Sequence, residues 1–121
     1  MSEIKSSREI EQRLDFIAKK INSRYKNETV ELIMLNTTPI YFINDLTMRL
    51  NIDFNIQNLN FKNYENASKS GEVFITKDLD SSIFGKNILL IEGIIISGLT
   101  PNYIVRLLKQ RKPKSIAIAC I

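Results

Sequence analysis

Residues Ile88-Leu89-Leu90-Ile91 form an apolar run with no polar alternation. A strand with one wet face alternates, whereas a run of this kind is suited to a strand covered on both faces, as parallel sheets require. The nine residues after the run narrow the fold further. Glu92-Gly93-Ile94-Ile95-Ile96-Ser97-Gly98-Leu99-Thr100 reads as the end of that strand emptying into a turn that leads to a helix. In open α/β sheets ligands sit beyond the carboxyl ends of the strands, and a Ser-Gly-x-Thr turn before a helix can offer backbone N–H groups to a phosphate. Ser97 and Thr100 supply hydroxyls, Gly98 permits close backbone approach, and the helix opening near Pro101 adds the positive end of its dipole. A plain strand-to-helix turn would use the same residue types.

The rest of the chain has βαβ grammar. Ser6-Ser7-Arg8-Glu9 has capping-box spacing, and Ile10, Leu14, Ile17 and Ile21 recur at helical intervals, which predicts an amphipathic helix from Ile10 to Ile21. Val30 to Leu35 is a short, nearly continuous apolar run suited to a strand. Asn36-Thr37-Thr38 reads as a loop, and Pro39 opens a helix reaching about Leu50. From Ile52 to Phe61 polar and apolar residues alternate, with a phase slip before Leu59 and Phe61 that predicts a bulged strand. Six asparagines fall between Asn51 and Asn66, so Lys62 to Ser70 is expected to be a mobile surface loop. Val73 to Thr76 reads as a returning strand, Asp78 to Lys86 as a turn region around Gly85, and Ser115 to Ile121 as a further buried strand. Between these, Thr100 is placed to cap a helix with Pro101 at its first position, Ile104, Val105, Leu107 and Leu108 on its inward face, and Pro113 beyond its end.

At 121 residues the chain is expected to be one domain. Seventeen basic against thirteen acidic residues give +4, which favours an anionic ligand. The densest basic group, Lys109 to Lys114, falls where a helix should end, and cations there complement the helix dipole better than they suggest a nucleic-acid surface. The single cysteine, Cys120, excludes an internal disulfide, and no apolar stretch is long enough to span a bilayer. With no secretory signal recognised, a cytoplasmic protein is expected, contacting neither membrane nor nucleic acid. There is no histidine, which removes Ser-His and Cys-His nucleophile pairs and histidine-rich metal sites.

The stretch from Ile88 to Thr100 resembles the ribose-phosphate signature of phosphoribosyltransferases, a hydrophobic strand followed by Glu-Asp, two aliphatics, Asp, Ser or Thr, Gly, any residue and Thr. Similarity to the hypoxanthine-guanine branch extends to the N-terminal helix, the strand Val30 to Leu35, Ser70-Gly71-Glu72-Val73 with Lys77-Asp78-Leu79-Asp80, and the tail from Arg111 to Ala119. The resemblance implies a type I phosphoribosyltransferase core: an α/β fold with a mostly parallel sheet flanked by helices, lacking the C-terminal part of the family.

It also implies roles. The phosphate falls on Ser97, Gly98, Leu99 and Thr100. Of the paired acids that hold ribose and magnesium, Glu92 is present and Gly93 stands in place of the second, so magnesium binding through Glu92 is expected to be weakened. The proton-handling aspartate falls on Ile96, which cannot carry a proton. The pyrophosphate loop falls on Leu35, Asn36 and Thr37, without the family's lysine and glycine, and Tyr64 is the nearest candidate for the lid aromatic. Three readings are open: a degenerate member that binds phosphate, ribose phosphate or a purine nucleotide with poor turnover; a working purine-salvage transferase; or a non-catalytic interaction module. A homo-oligomer or a pairing with a related chain is expected, and the end at Ile121 fits natural shortening or a piece of a longer protein equally well.

Overall fold

A computed structural model describes residues 7–35, 40–63, 73–92 and 99–120, with only the backbone path at 63, 99–101 and 120. Among the described residues the elements follow in the order α1 (Ser7–Arg24), β1 (Thr29–Leu35), α2 (Ile40–Thr47), β2 (Asp53–Asn63), β3 (Val73–Lys77), β4 (Asn87–Glu92), α3 (Leu99–Lys109) and β5 (Ser115–Cys120). The sheet runs in the order β3-β2-β1-β4-β5. β1 pairs in parallel with β2 and with β4, and β4 with β5; β3 alone returns antiparallel, beside β2. The α/β architecture read from the sequence is therefore the one observed. No described helix is long and apolar enough to cross a membrane.

Side-chain alternation divides the core between the two faces of the sheet. Val30 and Leu32 of β1 and Leu89 and Ile91 of β4 pack under α1 and α2, where they meet Leu14, Ile17, Ile21 and Phe42. Ile33 and Leu35, with Ile88 and Leu90, pack on the other face against Ile104 and Leu108 of α3. All six residues of β4 are buried, as its unbroken apolar run predicts.

Local chemistry explains where elements run longer or shorter than expected. α1 extends beyond Ile10–Ile21 at both ends because its polar flanks, with Glu9 in the first turn and Arg24 in the last, complement the dipole. Ile10 is 43% exposed and does not join the buried stripe of Leu14, Ile17 and Ile21. α2 stops at Thr47, before Leu50, because its end tightens: the N–H groups of Arg49 and Leu50 donate to the carbonyls three residues back, Leu46 and Thr47. Asn22 of α1 then fastens the following turn, donating to the Arg49 carbonyl at 3.1 Å and accepting from the Asn51 N–H at 2.9 Å.

The second strand does carry an irregularity, but between Asn60 and Phe61, where the register with β3 shifts; at the expected slip, between Ile56 and Leu59, its register with β1 is unbroken. Lys62 and Asn63, assigned to a loop by their asparagine-rich surroundings, instead prolong β2 through pairing with Phe74 and Val73. Residues 64–70 of that expected loop, with Ser6, Pro39 and Ile121, lie outside the described residues.

β5 departs from expectation. Its apolar sequence predicts a buried strand, but among the described residues it has a strand neighbour on one side only, and Ile116, Ala117 and Ala119 are half-buried and Ile118 is 38% exposed.

Two turns lock the sheet at its amino end. The Gly85 N–H donates to the Lys112 carbonyl at 2.9 Å and the Lys114 N–H to the Lys86 carbonyl at 2.8 Å, joining the connection before β4 to the one before β5. Gly85 has φ of +70°, which a residue with Cβ adopts only under strain. Arg111 adds a two-toothed pairing with Asp78, at 2.8 and 2.9 Å, which holds the Asp78 carboxyl below its ordinary pKa despite an opposing effect of partial burial.

Candidate functional site

The parallel strands end together along one edge of the sheet. β1 finishes at Leu35, 2% exposed, and β4 at Glu92, 4% exposed. Met34 pairs with Ile91, so Leu35 and Glu92 stand side by side, and Glu92 pairs in turn with Cys120. Alternation along β4 gives Glu92 the face of Ile88 and Leu90, which is the α3 face. Residues 93–98 bridge this edge to the start of α3, whose N-terminal N–H groups and positive dipole end belong to the same connection.

Glu92 is hidden from solvent, with one carboxylate oxygen left without a donor among the described residues. Its Oε2 is buried with no hydrogen-bond partner among the described residues, and burial raises its pKa above the ordinary glutamate value. A buried carboxylate without a donor is costly, so such a group is normally paired or employed. An unpartnered hard oxygen at a strand end can bind a ribose hydroxyl or serve as one ligand of a divalent cation. Magnesium is usually held by one or two carboxylates with substrate phosphates, which a lone glutamate fits only when an anionic ligand brings its own oxygens. Among the described residues no three Asp, Glu, Cys or His side chains gather as a metal site.

The remaining predicted positions divide by what the structure describes. Leu35 is buried in the core beneath α3, so its side chain is packing and only its carbonyl end reaches the edge. Leu99 and Thr100 form the first turn of α3; the helix starts at Leu99, so Thr100 lies inside it rather than capping it, and Pro101 is its third residue. Proline is tolerated there because first-turn N–H groups have no helical acceptor. Gly93, Ile96, Ser97 and Gly98, with Asn36, Thr37 and Tyr64, lie outside the described residues.

One buried acid was not singled out from the sequence. Glu31, 2% exposed, sits near the opposite, amino end of the sheet and accepts from Asn55 Nδ2 at 3.0 Å and Gln57 Nε2 at 3.3 Å, with Lys86 Nζ at 3.5 Å. Burial pushes its pKa up, but these donors and the Lys86 charge outweigh burial and leave it lowered. The available signal was a charge interrupting the apolar run Val30 to Leu35. Its contrast with Glu92 is informative: one buried glutamate is satisfied by the fold, while the other is left open at the edge where α/β proteins bind ligands.

Comparison with known proteins agrees with this geometry. The sequence model of the phosphoribosyl transferase domain matches residues 1–121. The hypoxanthine phosphoribosyltransferase of Buchnera aphidicola is 36% identical over 119 residues, which cover 96% of this chain and 67% of that protein. A crystal structure of a hypoxanthine-guanine phosphoribosyltransferase from Bacillus anthracis, with HEPES in its active site, superposes with a TM-score of 0.92 at 25% identity, over 100% of this chain and 72% of that one. The Trypanosoma cruzi hypoxanthine phosphoribosyltransferase in complex with its product IMP gives 0.89 at 26% identity, over 98% and 65%. The chain thus spans about two thirds of the length of these relatives. With the strand order, the isolated acid at the end of β4 and the signature beyond it, these matches mean that the chain belongs to the phosphoribosyltransferase family, on its hypoxanthine-guanine branch.

Proposed function

We propose that this protein binds a phosphate, ribose phosphate or purine nucleotide at the carboxyl edge of β1 and β4 and transfers the phosphoribosyl group poorly or not at all. The observation that carries the reading is Glu92, buried, unpartnered among the described residues and positioned one connection ahead of the α3 N-terminus. Ser97, Gly98, Leu99 and Thr100 would hold the 5′-phosphate with hydroxyls and backbone N–H groups. Glu92 would take the ribose hydroxyls and help to hold magnesium, which supplies charge neutralisation on pyrophosphate. With Gly93 in place of a second acid, both contacts are weak. Asn36 and Thr37 present no cation to the pyrophosphate and Ile96 carries no proton for the base, a loss typically of ~10² to 10⁴-fold in rate. Tyr64 would close over the ligand.

The names of the relatives support a second reading, a working purine-salvage transferase, since they include hypoxanthine phosphoribosyltransferases and one bound to IMP. Calorimetry with phosphoribosyl pyrophosphate and with IMP, each with magnesium, separates the readings when run beside an assay for IMP formation from hypoxanthine. Heat of binding with background turnover supports the binder, and robust turnover supports the enzyme. No heat from either ligand at millimolar concentration removes the binding reading. A homo-oligomer, or pairing with a related chain, is the assembly we infer, and a monomer by light scattering at high concentration would exclude self-association.

A further inference from the structure

The parallel strands β1, β2, β4 and β5 all begin at the amino end of the sheet, about 20 Å from Leu35 and Glu92, the length of a seven-residue strand. A cavity of about 340 Å³ opens there, among the starts of β1, β2 and β4 and the turn before β5. Its volume is at the small end of the ~300–1,000 Å³ of ligand sites, which are mostly apolar, whereas no aliphatic or aromatic residue is among the described residues lining this one. Two ion pairs line it instead. Lys86 Nζ lies 3.5 Å from Glu31 Oε1, and Lys114 Nζ lies 2.9 Å from Glu28 Oε1. The pairs are tied together, because the Lys114 N–H donates to the Lys86 carbonyl at 2.8 Å. Asn87, 8% exposed, also faces the cavity and is fixed in place: its Nδ2 donates to the Thr29 carbonyl at 3.3 Å and its Oδ1 accepts from Ser115 Oγ at 2.7 Å. Gly85 adds no side chain, and a Cβ there would meet nothing within 4 Å.

Folding alone gains little from these charges. Glu31 interrupts the aliphatic run of Val30, Leu32 and Ile33, and a buried ion pair is often no more stabilising than well-packed apolar side chains of similar bulk. An exposed pair such as Lys114 with Glu28 contributes little either. Both carboxyls are nevertheless held below their ordinary pKa, Glu28 by the hydrogen bond and charge of Lys114, and Glu31, against the effect of burial, by Asn55, Gln57 and Lys86, so both are ionised at neutral pH. Glu31 also keeps acceptor capacity: a carboxylate has about four acceptor sites, and its contacts with Asn55, Gln57 and Lys86 use three. Open space is thus lined by two carboxylates and two ammonium groups.

We propose that this cavity binds a small polar α-amino acid as a dipolar ion, whose ammonium group donates to Glu28 and Glu31 and whose carboxylate accepts from Lys86 and Lys114. Charge balance selects this ligand. The lining sums to zero, so a lone cation or a lone anion sets a like charge beside one member of each pair, whereas a molecule carrying both signs leaves every lining charge beside an opposite one. A divalent cation would be repelled by the two ammonium groups. The absence of aliphatic and aromatic lining among the described residues favours a small polar side chain on the ligand. The site is separate from the carboxyl edge, and the phosphate reading there does not bear on it.

L-serine is the probe, with ethanolamine and 3-hydroxypropionate as the same skeleton without the carboxylate and without the ammonium group. Titrated at constant ionic strength and followed by NMR, serine is expected to shift the side-chain amide signals of Asn55 and Asn87 and the backbone amide of Gly85 saturably, with a millimolar or tighter Kd. Each half-molecule should bind roughly tenfold more weakly or worse, since it forgoes the charge-assisted hydrogen bonds of one end. Lys114→Met should weaken serine by roughly tenfold while ethanolamine binds no more weakly than before, and Glu28→Gln should weaken serine similarly while sparing 3-hydroxypropionate. Both substitutions fall on the more exposed ion pair, so the fold does not depend on them. Either half-molecule binding as tightly as serine, either variant leaving serine's affinity unchanged or weakening serine and both halves alike, or shifts confined to Glu92 and its neighbours overturns the proposal. So does the lack of a saturable shift at about 20 mM serine.

Discussion

Replacing Glu92 with leucine should make the fold more stable at neutral pH. The side chain is 4% exposed and its Oε2 has no hydrogen-bond partner among the described residues, so the native protein carries an uncompensated polar group at the end of its most buried strand. Leaving a buried acceptor unsatisfied costs about 1–3 kcal/mol, and more when it is charged. Leucine has similar bulk and lies on the face of Ile88 and Leu90, so the expected gain is about 2 kcal/mol, or roughly 6–10 °C in Tm for a chain of this size. Burial raises the folded-state pKa of Glu92, and the pH dependence follows from that direction. At pH values below the ordinary glutamate pKa both folded and unfolded states hold the proton and the charge contributes nothing. As pH rises, the unfolded chain releases its proton first, and the native protein loses stability until the folded group ionises too. The advantage of Glu92→Leu should therefore grow from pH 4 to pH 7, and Glu92→Gln, which removes only the charge, should reproduce the growth but not the whole gain. Urea unfolding at several pH values, with m unchanged, measures both. A variant less stable than the native chain at pH 7, or a gain identical at pH 4 and pH 7, would show that Glu92 is already satisfied in solution.

Glu31 should behave in the opposite way. Glu31→Ala strands the buried Gln57 donor, leaves the exposed Asn55 to water, and is expected to lose about 1–3 kcal/mol at pH 7. Because the native carboxyl has a lowered pKa, that stability is present above the ordinary glutamate pKa and fades as pH falls through the folded value, so acid titration of unfolding should bring native and variant together. Tyr25→Phe removes a buried hydroxyl without a partner among the described residues, so Tm should hold or rise, by up to about 1 kcal/mol in stability; a clear loss would reveal a hydrogen bond to Tyr25 in solution. Gly85→Ala meets no atom within 4 Å of the new Cβ, so its cost should be conformational alone, about 1–2 kcal/mol for φ of +70°, read as a lower urea midpoint at constant m.

The features legible in the sequence are those set by chemistry that acts locally. β4 was legible because four consecutive aliphatics leave no wet face, whereas the slip in alternation along β2 marks a change of buried face, from Ile52 and Phe54 to Leu59 and Phe61, and not the bulge, which lies further on. The acid at the strand end was legible for the same reason, as a residue type directly after that run. β5 misled because burial belongs to neighbours: an apolar strand reads alike in the middle of a sheet and at its border, and only the order β3-β2-β1-β4-β5 distinguishes them. Lys62 and Asn63 misled for a related reason, since pairing with β3 overrode the turn preference of their surroundings. That Glu31 is satisfied depends on Asn55, Gln57 and Lys86, which are distant in sequence from the glutamate they serve.

The placement of β1 at the centre of the sheet governs the order in which a growing polypeptide can complete its hydrophobic layer. Its side toward β2 can zip as soon as Asp53 to Leu59 have left the ribosome, whereas its other side waits for Asn87 to Ile91. During that interval a strand of Val30, Leu32 and Ile33 keeps one row of backbone groups unpaired, the kind of open edge that favours clumping if translation stalls between the two.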